Sequence, residues 1–155
     1  MKHLLCLLLA AFFSLAAFAQ KEQDFASRYM DLYGEKDGLE CITVSPLMMQ
    51  QLMRPTFIGE NKDLKEVLSQ IKSIQMLKCQ SSQESPSLYK KAIKLVEENH
   101  ERYQKYSEGK VQKIYVRRRG KTIVEMILFV DIEKMFLLID LTGEMNEDFL
   151  DHVKK

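Results

Sequence analysis

The chain has 155 residues, of which 46% are hydrophobic, and this apolar content is enough to bury the core of one domain. With 23 Lys and Arg against 22 Asp and Glu, its formal charge is +1. A general nucleic-acid binder usually has a clearly basic domain, so we expect no nucleic acid among the partners.

Residues 1–19 have the pattern of a secretory signal peptide. A short cationic start, Met1-Lys2-His3, precedes an apolar run over residues 4–16, and Ala17-Phe18-Ala19 supplies the small residues that signal peptidase needs. A membrane-spanning helix takes about 20 apolar residues, and this run is shorter. Cys6 lies at the start of the run instead of after it, so we expect no lipid anchor.

We therefore predict an exported protein, in the periplasm or on the surface of a diderm bacterium, with no integral membrane span. The mature chain would cover residues 20–155 and carry 22 basic and 22 acidic side chains, because the leader contains Lys2 and no acid. Its two cysteines are Cys41 and Cys79. They could form a disulfide in an oxidising compartment, or serve as small apolar residues in a domain large enough to need no crosslink.

The mature chain reads as one alternation of helices and strands, without repeats or low-complexity linkers. Apolar residues at helical spacing, with capping residues before them, predict helices that begin near Phe25, Pro46, Asn61, Pro86 and a cap at Thr142 or Asn146. The helix from Pro86 should run to about Tyr106. Clusters of β-branched and apolar residues predict strands over residues 39–45, 73–79, 111–118, 121–130 and 134–141.

The last three predicted strands are joined by very short turns, at Arg119-Gly120 and at Asp131-Ile132-Glu133. Such connections join only antiparallel neighbours. We therefore predict a single α+β domain over residues 20–155. It should have two layers, with helices packed on one face of a mainly antiparallel sheet of about five strands.

The strand over residues 121–130 is apolar on both sides. Val124, Met126, Leu128 and Val130 should share one face, and Ile123, Ile127 and Phe129 the other. One of these faces needs a cover beyond a single helix layer. The cover could be the terminal helix, a partner chain or a ligand.

Four cationic residues surround Gly120 at a predicted hairpin tip: Arg117, Arg118, Arg119 and Lys121. One interpretation is solubility and protection of an exposed strand. The other is a contact site for an anionic lipid headgroup, a glycan or an acidic patch on an envelope protein. Tyr115 is the one aromatic residue close by, which again disfavours nucleic acid.

No catalytic motif is present, and we predict no catalytic residues, no metal and no cofactor. Glu97 and His100 have the Glu-x-x-His spacing of carboxylate di-metal bundles, but in one copy instead of two. Met48, Met49 and Met53 could ligate Cu(I), although methionines at helical spacing usually fill a core. Acidic residues distant in sequence could still converge in a cleft.

The order of elements and three short passages resemble a known family. The passages are ITVSPLMM at residues 42–49, IQML at residues 74–77 and LTGEM at residues 141–145. With the leader and the long helix, they resemble domain of unknown function family 4252, whose members are exported or lipoprotein-like proteins of Bacteroidetes. Many members have a cysteine at the cleavage site, where this chain has Gln20. The resemblance implies the fold and the location, and supplies no site residues.

Two functions follow from these patterns. The first is a non-catalytic interaction module of the bacterial envelope, which predicts an exposed apolar patch or a basic hairpin beside one. The alternative is a small carboxylate-based hydrolase or a ligand-binding carrier of the periplasm. It predicts a closed cavity in which at least two acids converge.

Overall fold

The computed structural model describes residues 22–34, 38–132 and 135–154, so the predicted leader lies outside the described residues. Its helices are α1 Phe25–Tyr33, α2 Pro46–Leu52, α3 Pro55–Ile58, α4 Lys62–Ser69, α5 Ser85–Glu98 and α6 Glu147–Lys154. Its strands are β1 Glu40–Val44, β2 Ile71–Cys79, β3 Gln104–Glu108, β4 Gln112–Arg119, β5 Thr122–Ile132 and β6 Met135–Met145. None of the described helices is long and apolar enough to cross a membrane.

Four helices begin at a residue whose side chain accepts a hydrogen bond from the backbone N–H three residues later. These residues are Asp24, Ser45, Asn61 and Asn146, with donor–acceptor distances of 2.8–3.3 Å. Such caps satisfy N–H groups that have no partner within the helix. The predicted starts at Ser45 and Asn61 are confirmed, and Asn146 caps the last helix because β6 continues through Thr142.

The strands form one sheet in the order β1-β2-β6-β5-β4-β3, and every neighbouring pair is antiparallel. The predicted α+β class and the antiparallel sheet are confirmed, with six strands in the described chain instead of about five. The additional strand is β3. The helix predicted to reach Tyr106 ends at Glu98, and residues 104–108 pair with β4 instead. Charged residues suit both an exposed helix and an edge strand, so the local pattern could not separate the two.

Helices pack on both faces of the sheet, whereas we predicted helices on one face. The first face, covered by α1 and α5, buries Phe25 and Leu88 against Ile127 and Phe129. The second face, contacted by α2, α4 and α6, buries Met49, Phe149 and Leu150 against strand residues that include Ile123 and Met126. Central strands that are apolar on both sides explain the difference, because each side removes its own apolar surface from water.

A β-bulge in β5 changes which residues share a face. The pairing with β6 shifts register between Ile123 and Glu125, and Ile123 lies in the core of the second face together with Met126. Our assignment of Ile123 to the face of Ile127 was therefore wrong, since an extra residue in a bulge reverses the alternation. Beyond the bulge, Glu125 lies on the first face with Ile127.

Gly143 of β6 lies too close to the chain before β2 to carry a side chain. A β-carbon there would lie 2.0 Å from the backbone oxygen of Gln70. We predict that Gly143→Ala lowers the free energy of unfolding by about 1–3 kcal/mol, as overpacking usually does. Gly109→Ala is the control, because its β-carbon would approach the oxygen of Gln112 no closer than 3.4 Å. Equal urea midpoints for the two variants would contradict this packing.

Candidate functional site

Two acidic side chains lie inside the protein, on the two central strands. Glu125 of β5 is 0% exposed and Asp140 of β6 is 1% exposed. Asp140 is paired with Ile127 and Glu125 with Thr142, so the two acids are diagonal neighbours on the first face. An unpaired buried carboxylate is costly, so their partners decide what the pair does.

Both acids accept hydrogen bonds from the first turn of α1. The N–H of Phe25 donates to Oε1 of Glu125 at 2.7 Å, and the N–H of Ala26 donates to Oδ2 of Asp140 at 2.8 Å. The N–H of Ser27 donates to the helix cap, Oδ1 of Asp24, at 2.8 Å. Three acidic side chains thus satisfy the first three N–H groups of α1. The partial positive charge at this helix end favours anions. We call these three acids, with the helix end they hold, the carboxylate cap.

Arg117 of β4 lies opposite Glu125 and neutralises its charge. Its Nε donates to Oε2 of Glu125 at 2.6 Å, and its Nη1 donates to Oε2 of Glu22 at 2.6 Å. Burial lowers the pKa of the Arg117 guanidinium, but the carboxylates of Glu125 and Glu22 outweigh burial and raise it. The hydroxyl of Tyr103 also donates to Oε1 of Glu125, at 3.2 Å, and burial followed by this acid raises the pKa of Tyr103. Glu125 is therefore a fully paired buried carboxylate.

Asp140 is paired less completely than Glu125. Its Oδ1 has no hydrogen-bond partner among the described residues, although it is shielded from solvent. Burial raises the pKa of Asp140 well above its ordinary value, and the nearby charge of Glu125 raises it further. The N–H of Ala26 acts in the opposite direction, so contact with α1 partly offsets the cost of ionising Asp140.

Sequence reasoning missed both acids. Each stands alone between apolar residues in a central strand: Glu125 between Val124 and Met126, and Asp140 between Ile139 and Leu141. A single acid in such a run is the signal that could have found them. Two acids converge here, as the hydrolase or carrier alternative requires, but neither is exposed beneath α1. The arrangement holds a helix, and a substrate has no access to it while α1 is docked.

The predicted basic tip is only partly available for binding. The side chain of Arg117 is 12% exposed and is engaged in the carboxylate cap. Arg118 forms an ion pair with Glu147 at the start of α6. The side chain of Arg119 is 78% exposed, with its Nη2 3.7 Å from Oε2 of Glu22. Lys121 is exposed as well. Anion binding at the tip therefore stays a prediction that rests mainly on Arg119 and Lys121.

The two cysteines considered for a disulfide lie on adjacent strands, two residues out of register. Cys41 of β1 is exposed and carries a free thiol, whereas Cys79 of β2 is buried. The residue opposite Cys41 is Leu77, two positions before Cys79. Diagonal neighbours in a sheet are about 7–8 Å apart, at or beyond the reach of a disulfide. The crosslink would need movement of the β1 backbone.

The residues considered for metal binding have other surroundings. Glu97 accepts a hydrogen bond from the hydroxyl of Tyr115 at 3.0 Å, while His100 is exposed. Burial and then Glu97 raise the pKa of Tyr115 to about 12. Met49 is buried in the second core and Met48 is 47% exposed. Within the described ranges, no group of three or more His, Cys, Asp or Glu side chains could hold a metal ion.

The second face is not uniformly covered. Six apolar side chains on it are half-buried or exposed, and they are neighbours in the register of β1, β2, β6 and β5: Ile42, Met76, Ile139, Leu128, Leu137 and Val130. We call them the open half. Leu128 and Ile139 also pack against the buried core of this face, and Ile42 is 50% exposed. The apolar surface is therefore continuous from the core to solvent.

The open half ends at an edge of the sheet. β1 is the first strand in the sheet order, and its residues from Glu40 to Thr43 are exposed. Among the described residues, only β2 pairs with it, so its other side presents backbone donors and acceptors that a further strand could use. Apolar side chains and a free strand edge thus lie together on one surface.

Among family models, the one described as "Domain of unknown function (DUF4252)" matches this chain over residues 29–153. The match confirms the resemblance found in the sequence and covers all six strands of the described sheet. Comparison with curated proteins and with solved structures found no match.

Because Arg117 belongs to the carboxylate cap and Arg119 does not, substitution of Arg117 should lower stability far more than substitution of Arg119. Arg117→Met should lower the free energy of unfolding by about 3–5 kcal/mol, because Glu125 stays buried without its cation. Adding Glu125→Gln should recover part of that loss, since glutamine is neutral and its oxygen still accepts from Phe25 and Tyr103. Arg119→Met, at an exposed site, should change stability by less than about 0.5 kcal/mol. Urea titration that gives both single variants the same midpoint would contradict this account.

Alkylation should distinguish the two cysteines in the purified chain of residues 20–155 without reductant. Cys41 should react in the native protein because it is exposed, and Cys79 only after denaturation because it is buried. Mass spectrometry counts the added groups. A disulfide would leave both thiols unreactive in both states.

Proposed function

The chain belongs to the DUF4252 family, a domain of unknown function, and we propose that it is a non-catalytic interaction module whose protein partner binds the open half of the second face. The observation that carries this proposal is the row of six contiguous apolar side chains beside a free strand edge. Large contiguous apolar patches on a protein surface mark interaction sites, and here the exposed Ile42 continues into five half-buried apolar side chains.

The surroundings of the open half favour a protein over a lipid headgroup or a glycan. Glu40 and Lys78, which border it, form an ion pair at 3.0 Å, so the border carries no excess of either charge. An anionic headgroup would favour excess positive charge. The free edge of β1 supplies backbone groups that pair with an added strand, as in β-strand addition. A partner that adds a strand to β1 would place its own side chains beside Ile42.

The proposed location is the bacterial envelope. The support is the leader-like sequence of residues 1–19, with its cationic start, apolar run and small residues before Gln20. The exposed thiol of Cys41 and the buried thiol of Cys79 fit the proposal without requiring a disulfide.

A pair of lysine substitutions tests the binding surface. Ile42 is 50% exposed on the second face, and Leu32 of α1 is 48% exposed on the other side of the sheet. Ile42→Lys should weaken retention of the partner from envelope extract at least tenfold, about 1.4 kcal/mol, because a charge would enter an apolar contact. Leu32→Lys should retain it as the native chain does. Both changes are at exposed positions, and circular dichroism should confirm that both variants fold.

A third variant separates the open half from the basic tip. Arg119→Ser with Lys121→Ser removes the two tip cations that are most exposed and leaves Arg117 in the carboxylate cap. We expect this variant to retain the partner. If it fails to bind while Ile42→Lys still binds, the tip is the binding site and the proposal for the open half is wrong.

A further inference from the structure

We propose that the docking of α1 onto the sheet is linked to a proton on Asp140, so that the first helix is held more firmly while this carboxyl group is neutral and loosens as it ionises with rising pH. Asp140 would thereby make the segment over residues 22–34 a pH-sensitive latch on the first face. The latch is independent of the partner site on the second face.

The geometry of Asp140 carries the inference. Within the described part of the chain, its carboxyl group has one hydrogen bond, which Oδ2 accepts from the N–H of Ala26 at 2.8 Å. This bond depends on α1 being docked. Its other oxygen, Oδ1, is enclosed without a partner among the described residues. An enclosed oxygen without donors is tolerated far better in a neutral carboxyl group than in a carboxylate.

The charges around Asp140 do not balance a second buried carboxylate. Glu125 of β5 lies diagonally across from it, and Glu22 and Asp24 precede α1. The one cation of this group is Arg117 of β4, which contacts Glu125 and Glu22. Across β2, Asp140 is paired with Gln75, which is neutral, and the side chains that α5 buries carry no charge. Tyr103, whose pKa is raised, stays neutral as well.

The direction of the pH effect follows from proton linkage. The pKa of Asp140 is raised in the folded protein by burial and by Glu125, so the docked state binds the proton more tightly than an undocked state open to water. The stabilisation is fully present below the ordinary carboxyl pKa of about 3.9 and is lost as the pH rises through the raised value. One linked proton changes the docking equilibrium by up to about tenfold per pH unit in this window.

The position of α1 allows it to respond separately from the sheet. It precedes β1, so its release breaks no strand pairing. Its contacts with the sheet are the carboxylate cap, one apolar surface and the hydrogen bonds of Gln75 with Ser27 and Asp24. In the mature chain that we propose, α1 lies near the N-terminus, and segments near a chain end open locally more readily than central strands. Release of α1 would bring water to Asp140 and remove the cost of its charge.

Hydrogen exchange tests the latch in the purified chain of residues 20–155. Protection factors, which correct for the intrinsic effect of pH, are compared between α1 and the central strands β5 and β6 from pH 4 to 8. In the native chain, the ratio of α1 to strand protection should fall with pH, by up to about tenfold per unit. Asp140→Asn should make the ratio independent of pH. Asp131→Asn, at an exposed position, should behave as the native chain.

Two outcomes would overturn the proposal: a constant ratio in the native chain, or a pH dependence that survives Asp140→Asn. If Asp140→Asn does not fold, carboxyl 13C titration of the unmodified protein replaces it. A titration midpoint for Asp140 well above the ordinary range, coincident with the loss of α1 protection, supports the latch. A midpoint in the ordinary range for aspartate overturns it.

Discussion

The first turn of α1 is held by three carboxylates that come from different parts of the chain, and two of them stand inside the sheet. Side chains on the buried side of a central strand are normally apolar. Here the acidic side chains of Glu125 and Asp140 occupy such positions. The charge of Glu125 in turn requires a cation, which Arg117 supplies. Although Arg117 belongs to the predicted basic tip, its side chain lies on the first face with Glu125. The position of α1 and the charge left at the tip both depend on this one cap.

The two faces of the sheet consequently differ in what they offer a partner. The first face is closed by α1 and α5 over aromatic side chains, with Phe25 packed edge-to-face on Phe129 at 5.8 Å between ring centroids. On the second face, α6 shields the side chains near Met126 but leaves the open half half-buried or exposed. The sequence left the terminal helix, a partner chain or a ligand as possible covers of one face. The structure shows that α6 covers part of the second face, and a partner on the open half is our proposal. The α+β sheet thus combines a closed face with a half-open one; we propose that the first responds to a proton on Asp140 and that the second binds a partner.

The sequence predicted features that depend on neighbouring residues. Ser45 and Asn61 begin helices because a cap and its N–H donor lie three residues apart. Sequence-based prediction failed at residues whose structure depends on partners that are distant in the sequence. Residues 104–108 become a strand because β4 is available to pair with them, and the bulge beside Ile123 turns that side chain to the opposite face. The carboxylate cap was beyond prediction because Glu125 meets Phe25 across 100 residues of chain.

Oxidation of methionines tests the proposed interaction surface most directly, because Met76 lies in the open half and Met30 lies on α1, and both are half-buried. The rates of sulfoxide formation would be compared between the purified chain and the same chain in intact envelopes. A partner on the open half should slow the oxidation of Met76 in the envelope and leave that of Met30 unchanged. Equal rates for Met76 in both preparations would contradict the account.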